Sequence, residues 1–140
     1  MDERERHRRG MKVRRAVLGD AHVERAQRDA SAFDAELQEL ITRYAWGELW
    51  TRPGLSRKLR SLITLAMLVA LGRHEELRFH VRGALRNGVT RNELKELLLH
   101  SAVYCGVPAA NAAIHLALEE LGDAPSAPRR SARPRRRSGP

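Results

Sequence analysis

The run SLITLAMLVAL, Ser61 to Leu71, constrains the fold more than any other stretch. It falls short of the about eighteen apolar residues that a membrane span needs. Protein must therefore cover it. Leu59, Leu62, Ile63, Ala66, Met67 and Ala70 recur at helical intervals, and Leu65, Leu68, Val69 and Leu71 fill the opposite side. A helix apolar all round is expected to be buried all round. Residues 55–71 thus predict a central helix with the rest of the chain packed about it.

The flanking segments also carry the helical period. Residues 21–29 read as a short helix after Asp20. In 32–45, Phe33, Leu37, Leu40, Ile41 and Tyr44 fall on one stripe. Gly47 is expected to end that helix, and WTRPG to make a turn-rich connection. Residues 74–86 predict the next helix, stopped by Asn87-Gly88. Thr90 and Glu93 fit a capping box that opens a helix over 91–105, with Leu94, Leu97, Leu98, Ser101 and Ala102 inward. After Gly106-Val107-Pro108, residues 109–121 predict the last helix, ended by Gly122. Strand signals are absent. The fold class expected is all-α, with about six helices.

A chain of 140 residues suits one domain with a single core. Its formal net charge of +9 is unevenly placed. Residues 1–15 hold seven Lys/Arg against three Asp/Glu, and residues 123–140 hold six Arg against one Asp. The span between, 16–122, holds thirteen of each sign. We therefore expect a neutral helical domain over 16–122, a basic extension over 1–15 and a disordered basic tail over 123–140. The tail can meet nucleic acid non-specifically through its charge, but no aromatic residue stands in it to stack on bases. A solvated, solubilising terminus is the plainer account. Cys105 is the single cysteine, which excludes an intrachain disulfide or a cysteine-based metal cluster. The charged start lacks an apolar signal region, so a cytoplasmic location is expected.

Chemistry concentrates in GRHEELRFH, residues 72–80. On one helix, Glu76 and His80 are four apart and share a face. A carboxylate there would favour the protonated imidazole. The alternative is a helix-surface pair, or a histidine at the edge of an apolar stripe with a packing role. His7, His22, His74, His80, His100 and His115 show neither HxxxH nor HExxH spacing, so no metal is expected. Cys105 could act as a nucleophile, although a small buried hydrophobe suits a helix end better. Arg52, Arg57, Lys58, Arg60 and Arg73 surround the apolar helix. Arg57 and Arg60 lie in its first turns, where cations oppose the helix dipole. That placement makes sense beside a bound anion; a solvated basic face is the other reading.

Residues 47–113 resemble the γ-carboxymuconolactone decarboxylase family. The likeness rests on W-x-R-P-G-L at 50–55, R-S-L at 60–62, A-L-G-R at 70–73, E-L-x-x-H at 76–80, N-G-x-T at 87–90 and Y-x-G-x-P at 104–108. It implies the alkylhydroperoxidase D-like helical fold and a homo-oligomer, hexamer or trimer. The peroxidase branch of that superfamily carries C-x-x-C-x-x-x-H. Here its two cysteine positions are Arg73 and Glu76, and its histidine is His80, so peroxide reduction is not expected.

What the resemblance implies is loss of CO2 from 4-carboxymuconolactone in aromatic catabolism, without cofactor or metal. His80 would be the general acid, with Glu76 orienting or tuning it. Arg60 and Arg73 would hold substrate carboxylates, Trp50 and Tyr104 would wall the pocket, and His100 would add a polar group. A related enzyme with another substrate, or a non-enzymatic oligomer whose tails bind nucleic acid, are the alternatives.

Overall fold

The computed structural model describes residues 1–122 and is all-α over them. Seven α-helices follow in order: α1 Glu3–Leu18, α2 Asp20–Asp29, α3 Ala35–Leu40, α4 Arg57–Leu71, α5 His74–Arg86, α6 Arg91–Tyr104 and α7 Val107–Glu120. A π-helical segment, Ile41–Leu49, continues α3 without a break. No described helix is long and apolar enough to cross a membrane. The expected tail over 123–140 lies outside the described residues.

Helix α2 starts one residue before the expected 21–29, and helices α4 to α7 match the expected positions within about two residues, the usual latitude of helix ends. Their boundaries come from local chemistry. Ser56 caps α4 by accepting from the Leu59 amide at 3.2 Å. Gly72 closes α4 with φ +68, a left-handed cap that suits glycine. Both halves of the Thr90–Glu93 capping box are present. Their core joins Leu65, Val69, Leu77, Val81, Leu94, Leu98 and Leu116. Asn87 does more than stop α5: its Nδ2 donates to the buried Ser61 hydroxyl at 2.9 Å and ties α4 to α5.

Four expectations need correction. Residues 1–15 are not an extension but most of α1, which buries Val13, Val17 and Leu18 on one side. Arginines before and between them mask that stripe, and Glu3, Glu5 and Glu48 pair with Arg6, Arg8 and Arg9. Gly47 does not end a helix; the chain runs through it to Leu49. Within one chain, α4 is not buried all round. Leu65 and Val69 face the core, whereas Leu59, Ile63, Met67 and Leu71 are exposed, Met67 at 59%. When both sides are apolar, the period cannot say which side faces inward. The 32–45 stripe is likewise outward: Phe33 is 99% exposed, and Leu37, Leu40 and Tyr44 are exposed too.

Helix α1 builds a second core with the π segment, joining Val13, Val17, Leu18, Trp46 and Trp50, with Phe79 packed against it. The two backbones touch through glycines. A Cβ on Gly10 would lie 1.8 Å from the Thr42 carbonyl oxygen, and one on Gly47 would lie 2.3 Å from that of Arg6. On its other side α1 meets α5. Arg86 Nη1 donates to the Leu18 carbonyl at 3.1 Å and so satisfies the end of α1. By this arrangement α1 brings the π segment and α5 to one place.

Candidate active site

At that place sits His80. The inward side of α5 carries Leu77, Val81 and Ala84 into the main core, which orients the next positions toward the second. The imidazole stacks beside Trp46 at 6.1 Å between ring centroids and Trp50 at 6.5 Å, with Phe79 at 5.2 Å. Trp46 and Trp50 stack on each other at 5.0 Å. Both come from the π segment or its end, where the Trp50 amide donates to the Ala45 carbonyl five residues back, at 2.9 Å. Such π segments are rare and gather at functional sites. From α2, His22 packs at a tilt against Phe79, with ring centroids 4.5 Å apart.

The His80 Nδ1 is buried without a hydrogen-bond partner among the described residues. A buried polar atom left unpaired is costly and calls for a reason, such as a group that arrives with substrate. Burial, and then the neighbouring His22, push the His80 imidazole down to about 4, while Glu76 pulls weakly the other way. His22 is itself held below its usual range, first by burial and then by Arg14, Arg82, Arg25 and Arg86. The resting ring is therefore neutral at neutral pH. This corrects the expected imidazolium held by Glu76. Spacing puts the two on one helix, but Glu76 stands exposed in the first turn while His80 turns into the aromatic cluster.

The other candidates separate into two groups. Trp50 is against His80, as above. Arg60 is near that end of the π segment: its Nη2 donates to the Arg52 carbonyl at 3.2 Å, and its buried Nε has no partner among the described residues. Arg73 is exposed at the entry to α5. Tyr104 and His100 stack on each other at 4.8 Å on α6, with Tyr104 77% exposed. His100 borders an open apolar cleft between α4 and α6, with Leu62, Ile63 and Ala66 opposite. Neither residue contacts the His80 cluster within the chain. Cys105 caps the end of α6 as a half-buried free thiol.

Trp46, Phe79 and His22 were not anticipated. The Trp46–Trp50 spacing of four was available as a signal. Nothing local in the sequence places His22 beside α5.

The fold and the site define an all-α protein with an imidazole enclosed by aromatic rings and no thiol beside it. The model of the carboxymuconolactone decarboxylase family matches residues 35–119, and the chain belongs to that family. It is 50% identical over 128 residues to the 4-carboxymuconolactone decarboxylase of Acinetobacter baylyi, covering 91% of this chain and 96% of that protein. It is 48% identical over 114 residues to the nitrosuccinic acid decarboxylase of Metarhizium robertsii, covering 81% of this chain and 80% of that one. A 4-carboxymuconolactone decarboxylase sequence from Pseudomonas putida is 56% identical over 48 residues, 34% of this chain and all of that sequence.

Proposed function

We propose that this protein removes CO2 from 4-carboxymuconolactone, giving the enol-lactone of β-ketoadipate, without a cofactor. The observation that carries the reading is the 50% identity over nearly the whole of a protein with that named activity. The chemistry fits the residues. The substrate's ring double bond conjugates the reacting carbon to the lactone carbonyl, so the electron pair left by CO2 spreads into a dienolate. The protein must then deliver one proton to carbon and steady the oxyanion.

His80 is the proton carrier in this reading. Its free ring is neutral, and the carboxylates of an entering substrate favour the imidazolium in a buried site. His80 then takes a proton from solvent as the substrate binds and gives it to the dienolate carbon as CO2 leaves. The aromatic wall of Trp46 and Trp50 keeps water from the dienolate and presents apolar surface to the departing carboxylate. Arg60 and Arg73 are the cations available for the carboxylate that remains, and Glu76 has a minor electrostatic effect on the ring.

A second reading has its own support in the relative named nitrosuccinic acid decarboxylase. A nitro group is also a built-in electron sink, so loss of CO2 followed by protonation is common to both substrates. Purified protein stripped with chelator and given 4-carboxymuconolactone, made in situ, should release CO2 with no addition. Turnover of nitrosuccinic acid alone would move the assignment to that substrate class, and inertness toward both acids would end it.

Assembly with further copies, as a hexamer or trimer, belongs to this proposal. The exposed apolar residues Leu59, Ile63, Met67 and Leu71 line one side of α4, and Val103, Tyr104 and Val107 cluster at the α6–α7 turn. Apolar surface on this scale marks contact sites. Tyr104 and His100 would then act only where a second copy presents them. Met67→Glu should reduce the mass found by sedimentation velocity, with helicity unchanged; a wild-type protein that sediments as a monomer removes the assembly.

A further inference from the structure

A further cavity, about 300 Å³ in volume and bordered by polar side chains on one side, lies between α1, α2 and α3, and His80 does not line it. Arg14, Gln38, Thr42, His7 and Glu39 border it. Arg14 is only 8% exposed. Its Nη1 donates to the Thr42 hydroxyl at 3.1 Å and its Nη2 to the Gln38 side-chain carbonyl at 3.0 Å. Its Nε is buried and has no hydrogen-bond partner among the described residues.

Among the described residues, no carboxylate lies within ion-pair distance of this guanidinium. Arg6, on the same helix and less buried, pairs with both Glu3 and Glu48. Glu39 shares the cavity wall with Arg14, but its carboxylate is engaged by His7 at 3.0 Å and Arg43 at 3.9 Å. A charge taken out of water is costly unless a counter-ion accompanies it. Two neutral acceptors leave most of the five donors of a guanidinium unsatisfied. Burial accordingly draws the Arg14 pKa down, with no carboxylate to draw it up.

We propose that this cavity binds a small free carboxylate as the counter-ion of Arg14. A planar carboxylate matches the guanidinium fork better than a spherical or tetrahedral anion does. The amide of Gln27, also at the wall, adds a polar group for the far end of such a ligand. The site is wired to a natural reporter. Thr42 is buried in the π segment four residues before Trp46, and Trp46 with Trp50 are the only tryptophans in the chain.

The test uses the full chain with succinate as probe, read by tryptophan fluorescence and titration calorimetry. Chloride at matched ionic strength and inorganic phosphate form the comparison arms. Running His80→Ala in parallel separates this cavity from the reaction site, so that failure of one assignment leaves the other standing. Saturable succinate binding is expected in both the wild type and His80→Ala. It should weaken about tenfold or more in Arg14→Lys, which loses the fork. It should vanish in Ala26→Leu, which fills the cavity and leaves the guanidinium in place. Absence of saturable binding overturns the proposal, as does wild-type affinity in Arg14→Lys or in Ala26→Leu. Phosphate binding as tightly as succinate overturns the assignment to a carboxylate.

Discussion

Replacing His80 with alanine is expected to lower turnover by about 10²–10⁴, the usual weight of a positioned acid, with the helices intact. The ring is a poor structural asset. Its Nδ1 has no partner, and its neighbours Trp46, Trp50 and Phe79 also pack into the α1 core. The same variant should change how stability depends on pH. The folded chain holds the imidazole near 4, against an ordinary 6.5 when unfolded. The unfolded chain therefore binds this proton more readily. On this group's account the wild type keeps its full stability above 6.5, loses it as pH falls, and by pH 4 has lost about 3 kcal/mol. The urea midpoint of the wild type should accordingly fall relative to that of His80→Ala as pH drops from 6.5 to 4. A variant that keeps near-wild-type kcat would remove His80 from the reaction, and parallel pH curves would show that the ring does not titrate as a buried group.

Gly10→Ala is expected to cost the fold more than the methyl group suggests. The added Cβ would meet the Thr42 carbonyl oxygen at 1.8 Å and the Gly47 amide at 3.0 Å. Both are backbone atoms, so no side chain can turn away, and the helix must move. Overpacking of this kind costs about 1–3 kcal/mol and sometimes more. The displaced contact is the one that seats Trp46 and Trp50 over His80. The variant should therefore show a lower urea midpoint, altered near-ultraviolet tryptophan circular dichroism and reduced kcat together. Gly47→Ala, which meets the Arg6 carbonyl at 2.3 Å, should behave alike. Wild-type stability in both would show that α1 and the π segment do not approach this closely.

How much of this could be read in the residues depends on how local the governing physics is. Helix α6 begins where Thr90 and Glu93 exchange hydrogen bonds, a matter of four neighbouring residues. Helix α4 ends where Gly72 adopts a left-handed conformation, a property of that residue type. His80 could be singled out because E-L-x-x-H stands among other family motifs. Helix α1 is hard to read because its apolar positions are spaced among seven basic residues, and the surface that covers them, Trp46 and Trp50, is distant in the chain. The π segment escaped because Gly47 resembles a helix stop until Arg6 is known to lie against it.

The sequence by itself determined that the described residues are all-α and where five of their helices begin and end, since capping and period act between neighbours on one helix; it was the family resemblance that marked His80. Tertiary structure alone decided which side of α4 is inside, that Trp46 and His22 join His80, and that Glu76 does not govern it. Burial and Coulombic balance depend on atoms far apart in the chain. A ring four residues from a carboxylate is still neutral when the protein closes over one and leaves the other in water.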